Sequence, residues 1–297
     1  MTHSGLPRHV VRVEGSRLPE LPEVETVVRS LAPHLPGRRI VSASFTSRFV
    51  TPGNRRALAR KLAGRTIQGI QRRGKFIVIA LDRGTLMVHL GMTGKLLLEG
   101  TFLDGTFSDL TFSDLTQDTH THGTLVLDQG VLLYHDPRQF GRITWNTGLE
   151  WNAVLERLGP EPLEISLEHF VERLRRRTAR VKALLLNQRF LAGLGNIYVD
   201  ESLAIAGIHP LAIASRLSVP KAAALHQAVR EVLTLAIEHG GSSISDYVDA
   251  NGNRGWFQTL HRVYGREGEP CLACGTPIRK IIVAQRGTHY CPRCQRR

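Results

Sequence analysis

The sequence predicts an α+β protein in three consecutive parts. Short apolar runs dominate from Ile67 to Trp145, helical spacing takes over beyond about Trp151, and all four cysteines fall in the last 27 residues. A chain of 297 residues exceeds the usual single domain and can bury a large core without disulfides.

The elements follow in order. Met1 to Arg17 has scattered arginines, no helical or strand period and no apolar stretch of a signal segment. After Pro22, Val24, Val27, Val28 and Leu31 fall at i, i+3, i+4 and i+7, the stripe of an amphipathic helix closed by Pro33 and Pro36. KFIVIAL, GTLMVHL, GKLLLEG, GTLVLD and VLLYHD then read as strands separated by Gly and Asp, the pattern of a β-sandwich or barrel. The tandem TFSDLTFSDL between two of them reads as a loop insertion without chemistry. A second domain is expected from about residue 151. In it Leu167, Phe170, Val171 and Leu174 share a helical face, and Val219 to His239 forms a longer helix stopped by Gly240 and Gly241. Gly240 to Arg254, rich in Gly, Ser, Asn and Asp, is expected to be a mobile loop.

Composition narrows the partners. Thirty-nine Lys and Arg against 26 Asp and Glu give +13 and an isoelectric point near 10.3, which attracts polyanions and puts nucleic acid first. A generic basic protein is the plainer reading of charge alone. No apolar run approaches the roughly 18 residues of a membrane span, and cysteines confined to two Cys-x-x-Cys pairs fit a reducing cytoplasm.

Several clusters carry chemistry. Cys271 and Cys274, separated by sixteen residues from Cys291 and Cys294, have the spacing of two knuckles sharing one tetrahedral zinc. Between them AQRGTHY puts Arg286 at the tip of a β-hairpin, aimed at phosphate or simply solvated. RVKALLLNQRFLAGLGNIYVDESLAIAGIHP reads as helix, glycine turns and a second helix with Asn196 near its start. Backbone N–H groups there, with Arg180 and Lys182 nearby, suit a phosphate; an ordinary helical hairpin with a capping Asn has the same look. Lys75 follows Arg72, Arg73 and Gly74 at the head of a strand. DPRQFG sets Arg138 beside Phe140 in a turn, a pairing suited to insertion into a base stack, whereas Met92 in HLGMTG is by default a core residue.

Taken together, PELPEVETV from Pro19, RRGKF, HLGMTGKL, DPRQFG, LAGLGNIYVDESL, VYGREGEPC and the cysteine motif closely resemble the formamidopyrimidine-DNA glycosylases, in the same order and from Pro19 to Arg297. The resemblance implies an N-terminal β-sandwich with flanking helices, a helix-two-turn-helix domain and a zinc-finger β-hairpin. It divides the chain into an extension (1–18), a catalytic sandwich (19–150), a helix-two-turn-helix domain with a lesion loop (151–262) and the finger (263–297). It implies a bacterial, cytoplasmic, nucleoid-associated monomer that removes oxidised purines, 8-oxoguanine and formamidopyrimidines, from double-stranded DNA, with lyase activity and one structural zinc. PELP favours purines over the oxidised pyrimidines of the endonuclease VIII branch.

Position by position, the resemblance makes Pro19 the nucleophile and Glu20 the acid and proton shuttle, with Glu23 a second acidic group near the amine. An α-amine, with a pKa near 7.7 to 8.0, is partly neutral at physiological pH. Lys75 and Arg286 become the phosphate-contacting pair that assists proton transfer and late elimination. Met92, Arg138 and Phe140 become the fillers of the gap left by the extruded nucleotide. Lys182 and Asn196 join a phosphate grip, His120 contacts DNA, and Ser242 to Asn253 closes over the base. The departure is at the front, since a proline inside a chain has no free amine. Leu18 stands where the family's initiating methionine belongs, and bacteria can initiate at UUG. Residues 1–17 are therefore expected to be untranslated and disordered; the alternative is a DNA-binding relative with Pro19 blocked. An RNA-binding zinc protein would need neither PELPEVET nor the gap-filling trio.

Overall fold

The computed structural model describes residues 19–100, 118–147, 156–244 and 247–297. The N-terminal extension, the TFSDL tandem and the expected boundary near residue 151 lie outside them.

Helix α1 (Leu21–Leu31) starts at Glu20, whose N–H donates to Glu23 Oε2 at 2.8 Å, and carries Pro22 in its first turn. Strand β1 (Ile40–Phe45) and helix α2 (Arg55–Leu62), capped by the Asn54 side chain on the Ala57 N–H, come next. Seven strands follow: β2 (Ile67–Arg73), β3 (Phe76–Leu81), β4 (Thr85–His89), β5 (Lys95–Glu99), β6 (Thr121–Leu127), β7 (Val131–His135) and β8 (Arg142–Asn146). They form two antiparallel four-stranded sheets, β1-β6-β7-β5 and β2-β3-β4-β8. One core unites their inner faces, with Ile77, Ile79, Leu86, Val88 and Ile143 from one sheet and Leu96, Leu98, Leu125 and Leu132 from the other. This is a β-sandwich.

The second half contains α3 (Leu167–Arg175), the short α4 (Val181–Leu185), α5 (Asn196–Ile205) and the long α6 (Val219–Glu238) around a core of their own. Ser166 and Ser218 cap α3 and α6 by accepting the His169 and Lys221 N–H groups. A hairpin of β9 (Arg279–Val283) and β10 (Arg286–Tyr290) ends the chain. Helix α1 joins the two cores: Leu21 packs in the helical one, Val24, Val27, Val28 and Leu31 in the sandwich. The residues at its start therefore lie where the two halves meet. Among the described residues no helix is long and apolar enough to cross a membrane.

Candidate active site and DNA interface

Pro19 and Glu20 lead into α1 and are buried. The Glu20 carboxylate accepts the Ile197 N–H at 3.1 Å and the Tyr198 N–H at 3.5 Å, both from the first turn of α5. Gly195 makes this possible, because a Cβ there would stand 2.2 Å from the Glu20 carboxyl carbon. Two of the backbone N–H groups at the α5 N-terminus are thus taken by the chain's own carboxyl group. Burial raises the Glu20 pKa to about 7, against the lowering influence of nearby Lys75.

Glu23 is fixed from three sides. Besides the Glu20 N–H it accepts the Ser242 N–H at 2.7 Å and the Tyr198 hydroxyl, so α1, α5 and the segment that follows α6 meet on one carboxyl. The Tyr247 hydroxyl adds a bond to the Glu23 carbonyl at 3.0 Å. Burial pushes the Glu23 pKa up as well.

Lys75 sits at the β2–β3 turn. Glu161 clamps that turn, taking Arg72 and Arg73 at 2.6 Å each and the Gly74 N–H at 2.7 Å. Arg72 and Arg73 are thereby committed to positioning Lys75. Burial lowers the Lys75 pKa; Glu20 and Glu23 pull it back up and Arg286 adds to the lowering. All four groups thus share one electrostatic neighbourhood.

Arg286 opens β10, paired with Val283 across a two-residue turn in which Ala284 and Gln285 both take positive φ, at 50° and 60°. That is the handedness a tight hairpin requires, here without glycine. Lys182, expected in a phosphate grip, is held here by partners within the protein. Its side chain is fully buried, its Nζ lies 2.6 Å from Asp200 Oδ1 and 3.2 Å from the Gly287 carbonyl, and a buried ammonium must keep such partners. Asn196 Nδ2 donates to the same carbonyl at 2.9 Å, and Asp200 Oδ2 accepts the His289 N–H at 2.8 Å. Both expected grip residues therefore converge on the peptide beside Arg286 and fix the finger against α5.

The four Sγ atoms of Cys271, Cys274, Cys291 and Cys294 lie within 4.8 Å of one another, with Cys271–Cys294 at 4.0 Å and Cys274–Cys291 at 3.5 Å. Zinc–sulfur bonds of about 2.3 Å in a tetrahedron put sulfurs about 3.8 Å apart, so the set fits a structural zinc. Glu201 anchors the approach to the finger by accepting the Arg262, Val263 and Tyr264 N–H groups at 2.8, 3.0 and 2.8 Å. Stripping the zinc is expected to weaken binding to a lesion duplex at least about tenfold while the sandwich stays folded. Fluorescence anisotropy with parallel circular dichroism measures this, and unchanged affinity in metal-free protein contradicts it.

The gap-filling candidates form a rim. Phe140 is 51% exposed with the Arg138 guanidinium 4.8 Å from its ring centre, and Met92 is half-buried in the β4–β5 turn. Asp136, fully buried, ties the two turns, accepting Thr93 Oγ1 at 2.6 Å, the Gly141 N–H at 2.8 Å and the Arg138 N–H at 3.3 Å. The turns approach so closely that a Cβ on Gly91 would meet Gly141 N at 2.4 Å. His120 is exposed, its ring edge-on to His135, whose Nε2 lies 2.7 Å from Asp118.

Sequence reasoning missed Asp136, Asp200, Glu161 and Tyr198, which act through distant partners, and His89. The His89 ring packs on Phe76 at 5.1 Å next to Lys75, and burial drops its pKa to about 4. Its place in HLGMTG was a usable signal.

A sandwich and a helical domain meeting at a buried carboxyl beside a half-buried lysine, with a four-cysteine finger bringing an arginine to it, define a DNA glycosylase of the helix-two-turn-helix class. Three family profiles agree: the formamidopyrimidine-DNA glycosylase N-terminal domain over residues 18–143, its H2TH domain over 158–248, and the zinc finger found in FPG and IleRS over 268–297. The formamidopyrimidine-DNA glycosylase of Solibacter usitatus is 54% identical over 282 residues, 94% of this chain and 100% of that protein. The MutM (Fpg) protein of Thermus thermophilus superposes with a TM-score of 0.80 at 42% identity, covering 93% of this chain and 98% of that one. The Lactococcus lactis Fpg in complex with DNA containing N7-benzyl-Fapy-dG does so at 0.82 and 39%, covering 94% and 100%. The Lactococcus protein has also been crystallised with abasic-site DNA and with DNA containing an oxidised pyrimidine. The chain belongs to the formamidopyrimidine-DNA glycosylase family.

Proposed function

We propose that the protein excises oxidised purines from double-stranded DNA and then cleaves the strand, with the Pro19 nitrogen as nucleophile. The observation that carries this reading is the buried Glu20 carboxyl, poised near pH 7 one residue after Pro19 and facing Lys75. The amine lone pair forms a bond to the sugar's anomeric carbon as the glycosidic bond breaks, and Glu20 gives its proton to the departing base. The nitrogen's proton returns to the Glu20 carboxylate, which passes it to the ring oxygen as the sugar opens, leaving an iminium. That cation acidifies the adjacent C2′ proton. Its removal expels the 3′ phosphate, and a second elimination expels the 5′ phosphate.

Lys75 and Arg286 hold the phosphates flanking the lesion, and Lys182 and Asn196 act as positioning residues behind Arg286. Met92, Arg138 and Phe140 fill the gap, Arg138 toward the orphaned base, and Ser242 to Asn253 covers the extruded one. His120 adds a DNA contact. One chain holds nucleophile, acid, wedge and finger, so it works as a monomer, at the nucleoid in the bacterial cytoplasm. Residues 1–18 are excluded from the working enzyme, because the amine exists only without the Leu18–Pro19 bond.

The test uses protein beginning at Pro19 and duplexes with 8-oxoguanine or an oxidised pyrimidine opposite its usual partner. Released 8-oxoguanine with a doubly eliminated nick, at least about tenfold faster than pyrimidine release, is expected. The opposite ranking overturns the lesion class.

A further inference from the structure

We propose that the Arg48–Phe49 turn is a second duplex-contact element, continuous with the Arg138–Phe140 rim. The inference rests on the reading of that rim as the DNA wedge. Phe49 follows β1 and is 54% exposed, while its neighbour Val50 is fully buried. The Arg48 guanidinium carbon stands 4.9 Å from the Phe49 ring centre, matching the 4.8 Å of Arg138 over Phe140. Exposure alone does not single Phe49 out, since Ile282, Leu272 and Trp256 are exposed further. Its anchoring does.

Ser47, 7% exposed, accepts the Phe49 and Val50 N–H groups at 3.1 and 3.2 Å and donates its hydroxyl to Gln139 Oε1 at 2.6 Å. Gln139 lies between Arg138 and Phe140 and takes a φ of 54°, a left-handed conformation that a non-glycine residue holds only when its surroundings impose it. The Ile143 N–H closes the joint on the Val50 carbonyl at 2.8 Å. Two arginine-backed phenylalanines therefore stand on one rigid rim, and a duplex seated on the first meets the second.

The chemistry matches distorted DNA. An exposed aromatic face offers stacking or sugar contact to unstacked nucleotides, and the guanidinium behind it offers charge to phosphate. Because the backbone that carries the ring is anchored before binding, the contact costs little backbone ordering entropy.

Anisotropy with a duplex carrying a tetrahydrofuran abasic analogue tests this. Phe49→Ala is expected to raise Kd about tenfold, in line with loss of one stacking contact. Phe49→Trp should stay within about threefold of the parent. The melting temperature should not move, as the ring is exposed, and single-turnover base release at saturating enzyme should stay within about twofold. Phe49→Ala combined with Phe140→Ala should weaken binding by less than the product of the two single effects. Parent-like affinity in Phe49→Ala overturns the proposal, as does an equal loss in Phe49→Trp. Binding is read independently of base release, so a parent chain that binds the duplex but frees no base contradicts the proposed activity and leaves this measurement decisive.

Discussion

Glu20→Gln is expected to lower base release by about three orders of magnitude while duplex binding stays within a few-fold of the parent, as removal of a general acid with its shape retained should. Gln keeps an oxygen for the Ile197 N–H but has no proton to transfer. The pH dependence gives a second readout. With its pKa raised to about 7, Glu20 remains a proton donor far above the range of an ordinary carboxyl, so the rate that depends on it should fall as pH rises through about 7. Stability follows the same sign. A carboxyl raised in the folded state above its unfolded value contributes stability that is full below about pH 4.5 and lost as pH rises through about 7. The shift corresponds to about 3 kcal/mol, so Glu20→Gln should melt at a higher temperature than the parent at pH 8 and lose less stability between pH 5 and 8. Single-turnover kinetics and thermal melts across this range decide it; near-normal turnover places the acid elsewhere.

The legible parts of the sequence were those whose signal is local. Val24, Val27, Val28 and Leu31 are each no more than 6% exposed, as their spacing predicts, and the helix expected to Val219–His239 runs from Val219 to Glu238 with His239 as its cap. The cysteine spacing gave a cluster that geometry supports. β1 and α2 were not anticipated. β1, IVSASF, is an edge strand with a single fully buried residue, and α2, RRALARKL, buries only Leu58 and Leu62. Neither has an apolar run to see.

Positions of site residues were less legible than their identities. Whether Lys182 meets phosphate or Asp200 depends on a contact 18 residues away, and whether the α5 N-terminus takes DNA or Glu20 depends on one 177 residues away. Spacing cannot report either. Asp136 illustrates the same limit: DPRQFG displays Arg138 and Phe140, but nothing local shows that the aspartate also holds the Met92 turn through Thr93.

The most direct test concerns the Pro19 nitrogen. Inside the chain it is an amide without a usable lone pair; at the head of the chain it is a secondary amine. Borohydride trapping on an 8-oxoguanine duplex compares the intact 297-residue chain, verified by mass spectrometry, with a chain that begins at Pro19 after methionine removal. A covalent protein–DNA adduct is expected from the trimmed chain and at least about a hundredfold less from the intact one, with both binding the duplex. Equal trapping by the intact chain would show that Pro19 is not the nucleophile and would move that role to a lysine, with Lys75 the first to replace.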